Sequence, residues 1–385
     1  MSTLFTFTGA KKIVFGRGSF AGLAEQLREL GGSRPLIVVD RSLAVAGMAE
    51  KISSLLDKEG VRFSLFDRVE GEPPLEVADE GADVAAKTKA DCVVGIGGGS
   101  AMDTAKAIAV LAKNRAKAVD FLGLNKIHAP GLPKIMVPTT AGTGSEVTFT
   151  SVFIRKDLKK KEGMNSPHLY PEVALLDPEL TLTLPPEATA STGLDALCHA
   201  IESYTSVTAS PMSEMVSREA IGLISENLRT CVHNGSNLDA REAMLLGSLY
   251  AGLGLANAGV TAVHSLSYPL GGRYGVPHGL ANTILLPHVM AFNLPGALEK
   301  FALVAEAMGE AVGDMPVREA AYLAVEAVEA LIGDCGITKT LKDFGVKEND
   351  FPEMAQAAMT VARPLANNPR KMTIEDAVEI YTEAF

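Results

Sequence analysis

Apolar and polar positions alternate in two different ways along this chain. In the first half, short β-branched runs take turns with amphipathic stretches of helical period. RPLIVVD (Arg34 to Asp40) is almost continuously apolar and reads as a buried strand. MAEKISSLLDKEG (Met48 to Gly60) reads as a helix closed by glycine. RFSLFD is a strand, EVADEGADVAAKTKA (Glu76 to Ala90) a helix, and DCVVGIG (Asp91 to Gly97) a strand. SAMDTAKAIAVLAKN (Ser100 to Asn114) is a helix and KIMVPTT (Lys134 to Thr140) another strand. Strands alternating with helices predict βαβ units and a mostly parallel sheet. After Leu182 the pattern changes. TLPPEATAST carries two prolines placed to open a helix at its first turn. From there to Phe385 the period is helical throughout, as in REAMLLGSLYAGLGLA and REAAYLAVEAVEALIG. One helical run is expected to end near Val263. No repeat or low-complexity linker interrupts the chain. The pattern predicts an α/β domain over 1–182 and an all-helical domain over 183–385, with a ligand crevice where the halves pack.

Length and composition agree with two ordinary folded domains. The chain has 385 residues, 47% hydrophobic and 21% charged. A net charge of −11 leaves no basic excess to neutralise phosphates, which argues against nucleic-acid binding. RKDLKKK (Arg155 to Lys161) is short and reads as a solvated turn. The four cysteines, Cys92, Cys198, Cys231 and Cys335, form no CxxC pair. They read as buried free thiols in a reducing compartment. The segment MSTLFTFTGAKKIVFG lacks the order of a signal peptide, and no apolar run approaches bilayer length. A soluble cytoplasmic protein is expected. LFTFTGAKKIVFG is β-forming sequence of a kind that pairs with another chain.

Four segments carry candidate chemistry. In GIGGGSAMDTAK a strand runs into Gly97, Gly98 and Gly99, and Ser100 and Asp103 then have capping-box spacing. Glycines let a phosphate approach the backbone, and a helix N-terminus offers N–H groups and a positive dipole end. The spacing is not GxGxxG. Asp40, at the end of its strand, is placed to accept from a ribose 2′-hydroxyl or to serve as a helix cap. PTTAGTGSEVT (Pro138 to Thr148) presents hydroxyls and amides after a buried strand, either as a tight turn or as a second side of a nucleotide site. In GLDALCHAIE, Asp195 and His199 stand four residues apart on one helical face. They make either a local ion pair or two ligands of a metal. His264 and His278, in VHSLSYPLGGRYGVPHG, are the other two histidines that look placed. His264 follows the run ending near Val263, and His278 sits on a tight loop between Pro277 and Gly279. One carboxylate and three imidazoles suit Fe(II) or Zn(II), with a position open for a substrate oxygen.

GGGSAMDTAK, PTTAGTGSEVT, LLDPELTLTLPPEATASTGLDALCHAIE and GVTAVHSLSYPLGGRYGVPHGLAN resemble, in order, the signature segments of the iron-containing, or group III, alcohol dehydrogenases. The resemblance spans essentially the whole chain. It implies a dehydroquinate synthase-like architecture, NAD as cofactor, a small alcohol and its aldehyde or ketone as substrates, and a homodimer or higher homo-oligomer. It implies that Asp195, His199, His264 and His278 hold the metal. Gly97, Gly98, Gly99, Ser100, Asp103, Thr139, Thr140 and Thr143 then line the dinucleotide. Lys161 matches a family lysine near the cofactor ribose, and Asp40 the acidic position that goes with NAD rather than NADP. Phe149 matches a pocket-lining position in some members. The resemblance also implies that the Asp195 helix is buried because it lines the interdomain cleft. One position departs: many members carry a second histidine four residues after the third ligand, where this chain has Tyr268. A phenol donates a hydrogen bond but is a poor proton shuttle at neutral pH.

Three other functions fit the same scaffold less well. A dehydroquinate synthase-like lyase needs several basic residues to grip a phosphate or phosphonate, and the visible one is Arg273. A metal-free reductase of a carboxylated substrate, as in maleylacetate reductases, has no use for four ligands. A non-enzymatic NAD-binding protein has no use for ligands and cofactor loop together.

Overall fold

The computed structural model describes residues 4–114, 116–158 and 160–385. The chain divides into two compact units. One is Gly9–Leu182; the other is Thr183–Phe385, joined by residues 4–8 of the N-terminal segment.

The first unit is built on a six-stranded parallel sheet of order β1-β9-β6-β4-β2-β3. Its strands are β1 (Lys12–Phe15), β2 (Pro35–Asp40), β3 (Ser64–Val69), β4 (Cys92–Gly97), β6 (Lys134–Pro138) and β9 (Val173–Leu176). A second sheet, β5-β8-β7, holds β5 (Gly123–Leu124), β8 (Lys160–Asn165) and β7 (Thr150–Arg155), the last two antiparallel. The central strands read as continuous apolar runs because both faces are covered. Ile37, Val39, Val94 and Ile96 pack with Leu23 and Leu27 of α1 (Leu23–Glu29) and with Ile52 and Leu56 of α2 (Ala49–Lys58). The alternate residues Leu36, Val38 and Val93 face Val77 and Ala85 of α3 (Glu76–Thr88). They also meet Met102, Ala105 and Ile108 of α4 (Gly99–Leu111).

Two expectations need correction here. The run Arg155–Lys161 is no solvated turn throughout: Arg155 ends β7, and Lys160 and Lys161 open β8. Lys159 lies outside the described residues, as do the first three residues of the N-terminal segment. Of the β-forming N-terminal stretch, only Lys12–Phe15 forms a strand. It pairs with β9 of its own sheet, while residues 4–10 form none.

The second unit is helical. Pro186 occupies the first turn of α5 (Pro186–Thr205), where a missing N–H costs nothing. Then come α6 (Pro211–His233), α7 (Leu238–Ala258), α8 (Ala262–Tyr274) and α9 (His278–Asn293), followed by further helices to Glu383. All four cysteines are buried and free. Among the described residues, no single helix is long and apolar enough to cross a membrane.

Candidate metal centre and cofactor cradle

Three helices of the second unit bring four side chains together. In α5, Asp195 and His199 share a face at i and i+4, and both are buried. Within this unit α5 packs against α6, α7 and α9, so its burial already follows from its own neighbours. The expected helical run to Val263 stops earlier. α7 ends at Ala258, and Gly259, at φ +72°, turns the chain before α8 starts at Ala262. That break puts His264 in the first turn of a new helix. His278 is not on a loop. Pro277 is the N-cap of α9, and His278 is its first residue.

One donor atom from each of Asp195, His199, His264 and His278 lies within 4.8 Å of the others. His199 Nε2 stands 3.1 Å from His264 Nε2 and 3.8 Å from Asp195 Oδ1. Atoms held about 2.1 Å from one ion lie about 3 Å apart when adjacent and up to about 4.2 Å when opposite, so both separations are compatible with a single cation. His264 has its lone pair on the correct nitrogen. Its Nδ1 lies 2.5 Å from Glu202 Oε2, and a carboxylate only accepts, so the ring proton sits on Nδ1 and Nε2 is bare. Glu202 is itself fixed by Thr261 Oγ1 (2.7 Å) and the Val263 N–H (2.8 Å), both donating to Oε1. The amide of Asn282 lies 2.7 Å from Asp195 Oδ1. Burial alone would raise the Asp195 carboxyl. The imidazoles of His199, His278 and His264, with the Asn282 hydrogen bond, outweigh it and hold the group below the usual aspartate value. An ionised carboxylate and a bare imidazole nitrogen are what a divalent cation requires. The donor set therefore fits Fe(II) or Zn(II).

The glycine loop of the first unit is a tight backbone cradle. Gly97 ends β4 at φ +147°, and a Cβ there would lie 2.3 Å from Asp40 Oδ2. Gly98 N–H donates to the same oxygen at 3.2 Å. Burial raises the Asp40 carboxyl above its usual value, and this N–H partly opposes it. A Cβ on Gly99 would come within 2.8 Å of Thr143 Cγ2. The capping box expected of Ser100 and Asp103 does not form. The helix starts one residue early, at Gly99, with Gly98 as an N-cap that makes no side-chain bond. Ser100 Oγ instead accepts from Glu72 N–H, and Asp103 accepts from Ser145 Oγ (2.5 Å) and Val152 N–H (2.8 Å). The start of α4 is thus left without a side-chain cap, as an anion site requires. Thr139 N–H donates to Gly97 O (3.0 Å), and the buried Thr140 hydroxyl has no partner among the described residues. Lys161 is nearly buried and ion-paired with Glu72 at 2.6 Å. Phe149 packs on Tyr170, with ring centroids 5.5 Å apart.

Two family models cover most of the chain. The first, iron-containing alcohol dehydrogenase, matches residues 10–178. The second, the C-terminal part of the Fe-containing alcohol dehydrogenase family, matches residues 189–385. The chain belongs to the iron-containing alcohol dehydrogenase family. Long-chain-alcohol dehydrogenase 1 of Geobacillus thermodenitrificans is 40% identical over 96% of this chain and 94% of its own. A crystal structure of 1,3-propanediol oxidoreductase superposes with a TM-score of 0.96 at 38% identity, covering 100% of each chain. Sulfoacetaldehyde reductase from Bifidobacterium kashiwanohense, solved with NAD+, gives 0.88 at 30% identity over 100% of this chain and 99% of that one. The protein is an oxidoreductase acting on CH–OH groups, with metal-dependent alcohol dehydrogenase activity.

Sequence reasoning missed three residues that the structure sets beside the four-residue cluster and the glycine loop. Glu202 lies inside GLDALCHAIE, three residues after His199. A carboxylate in an apolar helical stretch was the available signal. Asn282 follows His278 by four residues, the spacing that joins Asp195 to His199. Lys106 closes the glycine motif and is wholly buried. Its Nζ donates to Ser145 O and Thr148 Oγ1, at 3.1 and 3.3 Å, and to Thr150 O, and it pairs with Asp103. It ties α4 to the threonine segment. Tyr268, where many relatives carry histidine, is one turn on from His264 in α8. It is half-buried, and its ring centroid is 6.5 Å from that of His278.

Proposed function

We propose that this enzyme interconverts a small alcohol and its aldehyde or ketone by hydride transfer to and from NAD. The observation that carries this reading is the buried four-ligand set with Glu202 holding His264 in its metal-binding tautomer. Asp195, His199, His264 and His278 would hold Fe(II), or Zn(II) as the alternative. When bound, the cation polarises the alcohol or carbonyl oxygen as a Lewis acid. The remaining work belongs to the chain. Gly97, Gly98 and Gly99 let a pyrophosphate approach the start of α4. Thr139, Thr140 and Thr143 supply the second side of the cradle, with the Thr140 hydroxyl as a spare donor. Asp103 and Lys106 tie the start of α4 to the threonine segment, and Ser100 stands at that helix start beside the glycines. Asp40 accepts from a ribose 2′-hydroxyl and repels a 2′-phosphate, so NAD is preferred over NADP. Lys161 lies near the ribose, and Phe149 lines the substrate pocket. Tyr268 offers a hydrogen bond to the substrate, not a neutral-pH proton shuttle.

The rival readings lose a specific support. A lyase that grips a phosphate needs free basic side chains, yet Arg273 is ion-paired with Glu353 at 2.7 Å and lies near Asp350. A metal-free reductase gives no reason to bury a charged carboxylate among three imidazoles. We place the enzyme in the cytoplasm as a homodimer or higher oligomer. The exposed Leu4 and Phe5 support an association through the N-terminal segment. The functional test is alanine at Asp195 and, separately, at His199. Each is expected to remove metal and abolish NAD-linked turnover; turnover surviving in both variants sinks the proposal. Light scattering of the eluting peak tests the oligomer, and a monomer mass rejects it.

A further inference from the structure

We infer that Asn282 is the positioning residue of the metal centre: its side-chain amide holds three of the ligand atoms close to one point and orients the Asp195 carboxylate for the cation. This rests on the metal-binding reading above and goes beyond it, since an asparagine is neither a ligand of the proposed set nor in contact with the reacting atoms.

The geometry is specific. Asn282 is fully buried in α9, one turn after His278. Its Nδ2 lies 2.7 Å from Asp195 Oδ1, 3.1 Å from His264 Nε2 and 3.3 Å from His278 Nε2. One amide thus reaches three of the four ligands, at the atoms that would face a cation. It has two hydrogens for three acceptors, so the contacts are shared. Its own carbonyl, Oδ1, is buried with no partner among the described residues. An unpaired buried carbonyl costs about 1–3 kcal/mol. A residue serving only to fill space would be apolar and avoid that cost. The amide cannot simply turn over, because its oxygen would then face the Asp195 oxygen with no hydrogen between them.

The consequence follows from counting lone pairs. Asn282 Nδ2–H is shared among Asp195 Oδ1, His264 Nε2 and His278 Nε2, which holds these three ligand atoms close to one point. Once a cation takes the imidazole lone pairs, only Asp195 remains as an acceptor, and that oxygen has a second lone pair to offer. Asn282 then fixes the rotation of the carboxylate. Groups that orient metal ligands in this way typically contribute 10–100-fold to affinity.

The test uses Co(II) as the probe, with the full-length protein and its Asn282→Leu and Asn282→Ala variants. Leu keeps the branched shape of Asn without a donor but with bulkier ends; Ala covers the case in which Leu does not fold. Co(II) affinity is read by competition with a chromophoric chelator, and ligand geometry by the visible Co(II) absorption band. The expected result is a dissociation constant raised at least tenfold, with a shifted band, in any variant whose far-ultraviolet dichroism is native. Unchanged affinity and band in a folded variant overturn the inference while leaving the metal reading intact. A wild-type protein that takes up no Co(II) overturns both. The wild-type structure with Co(II) bound is a test that needs no variant. Asn282 Nδ2 should remain within hydrogen-bond distance of Asp195; an amide turned away from Asp195 refutes the assignment.

Discussion

Replacing Glu202 by Gln perturbs the metal centre without touching a ligand. The new side chain has nearly the same shape. Its carbonyl oxygen can still accept from Thr261 Oγ1 and the Val263 N–H, now 2.7 and 2.8 Å from Glu202 Oε1. Its NH2 group then faces His264 Nδ1, where Glu202 Oε2 now stands at 2.5 Å. Two donors cannot face each other, so the His264 proton moves to Nε2, the atom that should hold the metal. Binding must first undo that tautomer. A loss of 10–100-fold in metal affinity is expected, equal to about 1.4–2.7 kcal/mol. Folding stability should change little, because the contacts from Thr261 and Val263 survive. Glu202→Ala is the contrasting case. It strips Thr261, Val263 and His264 of their buried acceptor, at about 1–3 kcal/mol each, and removes the weaker Cys198 thiol contact, so it should lose several kcal/mol of stability as well. The assay is metal affinity by chelator competition under anaerobic conditions, beside thermal unfolding of the metal-free protein. A Gln variant that binds metal as tightly as wild type would refute the tautomer reasoning.

Further outcomes follow from the same contacts. Asp40→Ala should narrow the preference for NAD over NADP by about 10–100-fold in kcat/KM, because the charge opposing a 2′-phosphate is gone; an unchanged ratio counts against Asp40. Gly97→Ala places a methyl 2.3 Å from Asp40 Oδ2 on a backbone at φ +147°. NAD titration should show binding lost and thermal scans a destabilisation of about 1–3 kcal/mol. Glu146 is buried, and both its oxygens lack partners among the described residues. Burial pushes its carboxyl from 4.5 up to about 7. The folded chain therefore holds this proton more tightly than the unfolded chain does. That stabilising contribution is complete below about pH 4.5 and is lost as pH rises through 7. At about 1.4 kcal/mol per pH unit, wild type should lose up to about 3 kcal/mol relative to Glu146→Gln over this window. Parallel stability–pH curves for the two proteins would contradict it.

The alternation of strands and helices was legible because each βα unit buries continuous apolar runs such as PLIVVD between two helical layers. The four side chains that the structure brings together, the proposed metal ligands, were legible because each is polar in an apolar setting or joined to a proline or glycine signal. Boundaries were less so. Only Asn257 and Thr261 interrupt the apolar run from α7 into α8, and Gly259, with its positive φ, marks the turn that gives His264 a new helix. His278 looked like a loop residue because Pro277 and Gly279 flank it, yet proline before a helix is also a start signal. Glu202, Asn282 and Lys106 were not legible as site residues. Their roles come from partners far away in sequence: Glu202 meets Thr261 and Val263, Asn282 meets Asp195, and Lys106 meets Ser145 and Thr150. Local spacing carries no record of such pairs. The Ser100–Asp103 capping box failed for the same reason, since Ser145 and the Val152 amide compete for Asp103 from another part of the chain.

The central claim is that a cation held by Asp195, His199, His264 and His278 is required for NAD-linked carbonyl reduction. The most direct measurement is NADH oxidation with a panel of small aldehydes and ketones, using protein stripped of metal and protein reloaded anaerobically with Fe(II) or with Zn(II). A rate that appears only after reloading is the predicted result, and the metal that restores it names the competent ion. An equal rate in the stripped protein would contradict the account.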